Sequence, residues 1–225
     1  MTAAAALRFR LRRALSVGLL VAFAPVAQSK SATGTILVYG DSLSAEYGLA
    51  RGTGWAALLQ ARLAERKLPF TVVNSSISGE TTSGGASRIA AELAKHKPAI
   101  VVIELGGNDA LRGLPLDLSK QNLAAMIEAA TNINARVVLA GMQMPPNYGR
   151  AYTDQFKQLY SSLATQYKTA LVPHFLEGVG EKRELFQADG IHPLASAHPL
   201  ILANVWPALE PLLNPSAQKP KPAKR

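Results

Sequence analysis

The chain contains no cysteine. That removes thiol nucleophiles, thiolate metal sites and disulfides, and it suits an exported protein that folds without oxidative help. Also missing is an apolar run of about 20 residues, the length a membrane-spanning helix needs. The strongest candidate, "ALSVGLLVAFAPVA" from Ala14 to Ala27, is shorter and contains Pro25. The body of the chain lacks an excess of either charge. Of the formal +9, Arg8, Arg10, Arg12, Arg13, Lys219, Lys221, Lys224 and Arg225 carry eight, leaving residues 30–218 with 16 basic against 15 acidic side chains. Such a body has no nucleic-acid footprint. No His-Glu-x-x-His pair occurs, and Gly79 and Gly84 are followed by Gly85 and Ala86 where a phosphate loop requires lysine and a hydroxyl. Gly52-Thr53-Gly54-Trp55-Ala56-Ala57 fits a dinucleotide string. It begins well past the first expected strand, whereas a dinucleotide site follows its strand directly.

What is present divides into three parts. Residues 1–29 have the layout of a secretory signal, with a basic start, an apolar middle and small residues at Ala27 and Ser29. Cleavage near Ser29 and a periplasmic or secreted product follow as expectations. Residues 30–213 are long enough to form one domain with a sizeable core. Residues 214–225, "NPSAQKPKPAKR", alternate proline with lysine and offer nothing apolar to bury, so a solvated tail is expected.

Within the domain, five short runs are continuously apolar: Ile36 to Tyr39, Phe70 to Asn74, Ile100 to Leu105, Val137 to Ala140 and Ala170 to Pro173. Continuous runs, unlike alternating ones, suit strands buried on both faces of a parallel sheet. Helical stripes separate them, led by Trp55, Ile89, Leu123, Phe156 and Leu202, with Ser119 a candidate cap for the third. Strand and helix in alternation predict a doubly wound α/β domain. Ligands of such sheets bind beyond the carboxyl ends of the strands.

Polar clusters stand at those ends. Gly40-Asp41-Ser42-Leu43-Ser44 follows the first strand, "SSISGETTSGG" the second and Gly106-Gly107-Asn108-Asp109 the third, while Asp189-Gly190-Ile191-His192-Pro193 comes near the end. Taken singly, each is an ordinary turn. Together they supply what acyl transfer requires: a hydroxyl nucleophile, a base, a group to fix the base's tautomer, and donors for an oxyanion. Ser42 is the candidate nucleophile, His192 the base and Asp189 its orienting partner. Asn108 offers an amide donor, and Gly79 and Ser42 offer backbone N–H groups. His96 and His174 read as structural and His198 as a helix residue. The hydrolase elbow Gly-x-Ser-x-Gly is not met, because Ser44 occupies the second glycine position.

At these residues the chain resembles the SGNH, or GDSL, hydrolase superfamily. "GDSLS", "NSSISGETTSGG", "GGND" and "DGIHP" match its four sequence blocks in order, over nearly all of residues 35–212. "ELGGNDALRG" and "PPNYGRAY" resemble the exported acyl-CoA thioesterase, lysophospholipase and arylesterase branch of Gram-negative bacteria. The resemblance implies a flavodoxin-like three-layer α/β/α sandwich with a five-stranded parallel sheet. It implies Ser42, Asp189 and His192 as a triad, Ser42, Gly79 and Asn108 as the oxyanion hole, and neither cofactor nor metal. It also implies that the loop Ala110 to Pro115 covers the acyl chain, with Leu111 and Leu114 as apolar walls and Met142, Met144 and Pro146 as further ones. The family's small-residue elbow accounts for Ser44.

The expected activity is hydrolysis of carboxylic esters and thioesters with medium to long acyl chains, through an acyl-enzyme. The expected partners are small-molecule acyl esters or thioesters, without nucleic acid or a stable membrane span, acting on a monomer. A carbohydrate O-deacetylase with the same triad, and a non-catalytic binding protein on a hydrolase fold, are the alternatives.

Overall fold

The structure, a computed structural model, describes residues 33–144 and 146–214, without the side chain of Pro146. The expected signal segment and the lysine-rich tail beyond Asn214 lie outside the described residues. Five strands form one parallel sheet in the order β2-β1-β3-β4-β5: β1 Gly34–Gly40, β2 Phe70–Asn74, β3 Ile100–Glu104, β4 Arg136–Ala140 and β5 Ala170–Val172. The helices are α1 Trp55–Glu65, α2 Thr82–His96, α3 Gly107–Leu111, α4 Leu116–Asn132, α5 Arg150–Tyr167 and α6 His198–Leu213. α1 packs with α6 on one face of the sheet, and α2, α4 and α5 pack side by side on the other. This is the three-layer α/β/α arrangement.

The centre of the sheet is dry. Ile36 to Tyr39 and Ile100 to Ile103 are wholly buried, paired Ile36 with Ile100 through Tyr39 with Ile103. Burial on both faces is why these strands show no alternation. Helices on both sides also explain the apolar stripes, since each presents one face to the sheet. Strand order reverses between β1 and β3, the point where two successive crossovers leave in opposite directions. In open α/β sheets a reversal of this kind forms the ligand-binding crevice at the carboxyl ends. Ser42 follows β1 and Asn108 follows β3, so the topology places them side by side.

Two local expectations differ from the structure. Ser119 lies inside α4, which begins at Leu116 after Pro115; its hydroxyl donates to the Asp109 carboxylate at 3.1 Å and does not cap the helix. The expected loop Ala110 to Pro115 is partly helical, because Ala110 and Leu111 form the last turn of α3 and Ala110 is fully buried.

Candidate active site

The turn after β1 is held by its own side chains. Asp41 Oδ1 accepts the Leu43 N–H at 3.0 Å, and the Asp41 carbonyl accepts the N–H groups of Ser44 and Ala45. The loop therefore turns sharply at the strand end and leaves Ser42 partly exposed. Gly40 has to lack a side chain here: a Cβ would lie 2.6 Å from the Glu104 carboxyl and 2.9 Å from its carbonyl oxygen.

His192 arrives from a loop that is braced independently. Arg183 donates to the carbonyl oxygens of Phe186, Gln187 and Ala188 at 2.8–3.2 Å. The Gln187 N–H donates to the His192 carbonyl at 2.8 Å, and Phe186 bridges to Pro193. Asp189 closes its own turn, its Oδ1 accepting the N–H groups of Ile191 and His192 at 2.9 and 3.0 Å. Its other oxygen is 2.7 Å from His192 Nδ1, and His192 Nε2 is 3.0 Å from Ser42 Oγ. Hydrogen bonds from the imidazole and from these two N–H groups hold the Asp189 carboxyl well below the usual carboxylate range. An ionised Asp189 can only accept, so the imidazole proton sits on Nδ1. Nε2 is then left as the acceptor for the Ser42 hydroxyl.

Across the crevice, Gly79 adopts φ +79°, a left-handed conformation that glycine takes without strain. Among the described residues no acceptor takes the N–H of Ser42 or of Gly79. Asn108 donates one amide hydrogen to Asp41 Oδ2 at 2.8 Å, keeping the other for the crevice. The N–H groups of Ser42 and Gly79 and the second amide hydrogen of Asn108 are thus unclaimed, and free donors of this kind are what an oxyanion needs. Arg112 donates to the Gly79 carbonyl at 3.0 Å and ties α3 to the Gly79 loop.

The expected acyl walls are less uniform. Leu111 is exposed and Leu114 half-buried, whereas Met142 and Met144 are buried in the core. Met144 therefore offers no open wall in this conformation, and the Pro146 ring lies outside the described residues. Tyr148 is exposed nearby in chain order, stacked at 6.5 Å on Tyr152, whose hydroxyl reaches the Ala110 carbonyl.

Several residues of the site escape the sequence reading. Asp41 is buried and its carboxyl is pushed up to about 6, chiefly by burial, against the opposing pull of the Leu43 N–H, the Asn108 amide and His192. Glu104 is buried completely at the end of β3, and burial with the neighbouring Asp41 holds its carboxyl well above the usual range. Ser44 donates to it at 2.6 Å and accepts from Trp55 Nε1 at 3.0 Å. Asp109 accepts from the Thr82 N–H at 2.9 Å and from the hydroxyls of Thr82 and Ser119, binding α2, α3 and α4 together. An acid ending an otherwise apolar strand was the available signal for Glu104. Tyr47, half-exposed, lays its ring 4.3 Å from that of His192. His96 and His174 pair with Glu92 and Glu177, away from the crevice.

Residues 38–200 match the model of the GDSL-like lipase/acylhydrolase family. The chain is 54% identical over 184 residues to "Esterase TesA" of Pseudomonas aeruginosa, spanning 82% of this chain and 92% of that one. It is 42% identical over 182 residues to an "Arylesterase" of Vibrio mimicus, covering 81% and 91%. To the "Thioesterase 1/protease 1/lysophospholipase L1" of Escherichia coli K12 it is 39% identical over 184 residues, covering 82% and 87%. A crystal structure of TesA superimposes with a TM-score of 0.78 at 55% identity, over 79% of this chain and 99% of that chain.

Proposed function

The chain belongs to the GDSL-like lipase/acylhydrolase family and is an ester-hydrolysing enzyme, and on that premise we propose that it is an exported serine hydrolase that works through an acyl-enzyme on esters and thioesters of medium to long acyl chains. The observation that carries this reading is the line from Ser42 Oγ to His192 Nε2 and from Nδ1 to Asp189. Ser42 attacks the acyl carbon as Nε2 takes its proton. The charge developing on the acyl oxygen is met by the N–H groups of Ser42 and Gly79 and by the Asn108 amide. Imidazolium, steadied by ionised Asp189, then gives the proton to the departing alcohol or thiol. A water molecule deprotonated by Nε2 repeats the sequence on the acyl-enzyme, releasing the carboxylic acid and restoring Ser42. The exposed Leu111 and half-buried Leu114 furnish apolar surface for the acyl chain. Export rests on the layout of residues 1–29. Among the described residues no helix is long and apolar enough to cross a membrane.

The test is hydrolysis of p-nitrophenyl esters from acetate to palmitate by residues 30–225, beside the Ser42→Ala variant. Activity should rise beyond acetate, and the variant should lose roughly 10⁴-fold or more in turnover. Hydrolysis confined to acetate would point to an O-deacetylase instead. Turnover that survives without Ser42 would sink the assignment.

A further inference from the structure

The substituents of a tetrahedral carbon bound to Ser42 have fixed places. Its oxyanion faces Gly79 and Asn108. Its leaving group has to lie within reach of His192 Nε2, the atom that protonates it, and the acyl chain takes the remaining direction. An exposed surface that adjoins the imidazole is therefore a candidate wall for the leaving group. That surface is the ring of Tyr47, centred 4.3 Å from the His192 ring, tilted 38° to it and 50% exposed.

The ring is held in place by more than this contact. The Tyr47 N–H donates to the carbonyl of Ser42 at 3.4 Å, and its carbonyl accepts from Gln187 Nε2 at 2.9 Å. Gln187 Nε2 also donates to the Pro193 carbonyl at 3.2 Å, so one side chain fastens the nucleophile loop to the His192 loop with Tyr47 between them. Glu46, the residue before, adopts φ 60°, a left-handed conformation that is strained for a non-glycine residue. Its carboxylate offsets that strain by accepting the N–H groups of Gly52 at 3.1 Å and Gly54 at 2.7 Å. A half-exposed aromatic ring gains little for the fold from such fixation. Strained, over-determined backbone beside an exposed side chain marks a working position.

Resting on the acyl-enzyme reading above, we propose that Tyr47 is a specificity-determining residue, a platform on which planar aromatic leaving groups stack as His192 protonates them. An aryl ring seated there gains offset or edge-to-face contact that a small alkyl alcohol cannot make.

Phenyl hexanoate and ethyl hexanoate, followed by titration of the released acid, test the idea. Both yield the same hexanoyl-enzyme, so kcat/KM reports only the step in which the leaving groups differ. Tyr47→Ala should lower the phenyl-to-ethyl ratio of kcat/KM about tenfold, and Tyr47→Phe, which keeps the ring, less than twofold. Should Tyr47→Ala not fold, Tyr47→Leu serves the same comparison. An unchanged ratio overturns the proposal, whether both rates hold or both fall together, since a common fall means that Tyr47 only steadies His192. Ser42→Ala run alongside separates this outcome from failure of the acyl-enzyme reading, because hydrolysis that survives without Ser42 sinks that reading, whereas an unchanged ratio with hydrolysis abolished in Ser42→Ala sinks only the role of Tyr47.

Discussion

Asp41 decides which way the Asn108 amide faces. As a carboxylate it can only accept, so Asn108 must turn nitrogen, not oxygen, toward it and toward the crevice. In Asp41→Asn the new amide donates as well as accepts, and Asn108 can rotate to place its oxygen where the oxyanion forms. We expect a fall in kcat of about 10² to 10³, the cost of losing one oxyanion donor. Protonating Asp41 has the same effect, and its carboxyl sits at about 6. Log kcat/KM should therefore fall as Asp41 takes up its proton on acidification through about 6. Asp41→Asn should abolish the part of the acid limb that Asp41 contributes, and acid limbs of the same shape in wild type and Asp41→Asn would refute the role. Stability runs the other way. A folded value raised from 3.8 to about 6 contributes stability that is full below 3.8 and lost as pH rises through 6. The charge that orients Asn108 is thus held at the fold's expense. Ser42, Asn108, Asp189 and His192 were legible because each sits in a turn just past an apolar run or in a short polar cluster. Asp41 was in view within the same cluster, but its partner lies 67 residues away. Only the pairing of β1 with β3 brings the two together.

At the scale of elements, β3 shows what hydrophobic patterning conveys and what it conceals. Its four apolar residues announce a doubly buried strand, and the expected run from Ile100 to Leu105 overshoots the observed end by one residue. The pattern gives no reason for an acid at the last position. Glu104 is there because the sheet ends against the nucleophile turn, where Ser44 needs an acceptor for its hydroxyl after taking the Trp55 N–H. One carboxyl thereby links β3, the Ser42 turn and α1. Burial, with the neighbouring Asp41, favours its protonated form, and among the described residues its Oε1 has no partner. Glu104→Gln, equally neutral and nearly the same shape, should change unfolding free energy by no more than about 1 kcal/mol. Glu104→Ala leaves a cavity and an unpaired Ser44 and should cost about 2–4 kcal/mol in urea denaturation at pH 7. Because the folded value is raised, stability from Glu104 is present at low pH and lost as pH rises through that value. The Gln variant should therefore gain on wild type as the pH is raised. A Gln variant as damaged as the Ala variant would mean that the native group is charged. Helix α4 illustrates a different limit. Ser119 looked like a cap, but Pro115 lets the helix start earlier, and Asp109 claims the hydroxyl instead.

Across the whole molecule, the last helix locks onto the first. His198 opens α6 and its Nδ1 accepts the N–H of Trp55 at the start of α1, 143 residues earlier, in a buried contact at 3.0 Å. Farther along the same pair, Trp206 lies beneath the guanidinium groups of Arg62 and Arg66 at 5.1 and 4.7 Å. The exposed Arg66 to Glu210 pair adds little. Read along the sequence, His198 is one more helix residue, since nothing local shows that α1 will present an unpaired N–H to it. Burial lowers its basicity, opposed by the charge of Glu46, so the ring stays neutral and accepting. A folded value below the unfolded 6.5 means that the contribution is full above 6.5 and disappears as pH falls through the folded value. His198→Asn keeps an acceptor close to the Nδ1 position and cannot titrate. Its Tm should lie near that of wild type at pH 7.5 and fall less steeply between pH 7 and 5. His198→Ala orphans the Trp55 N–H and should cost about 1–3 kcal/mol throughout that range. Parallel Tm curves for wild type and His198→Asn would show that another group governs the acid limb. The loop carrying Asp189 and His192 runs directly into α6, so release of this contact loosens the start of α6 and the chemistry together. Loss of hydrolysis on acidification at raised temperature should then coincide with loss of the α1 to α6 contact, read by Trp55 and Trp206 fluorescence, in wild type and at lower pH in His198→Asn.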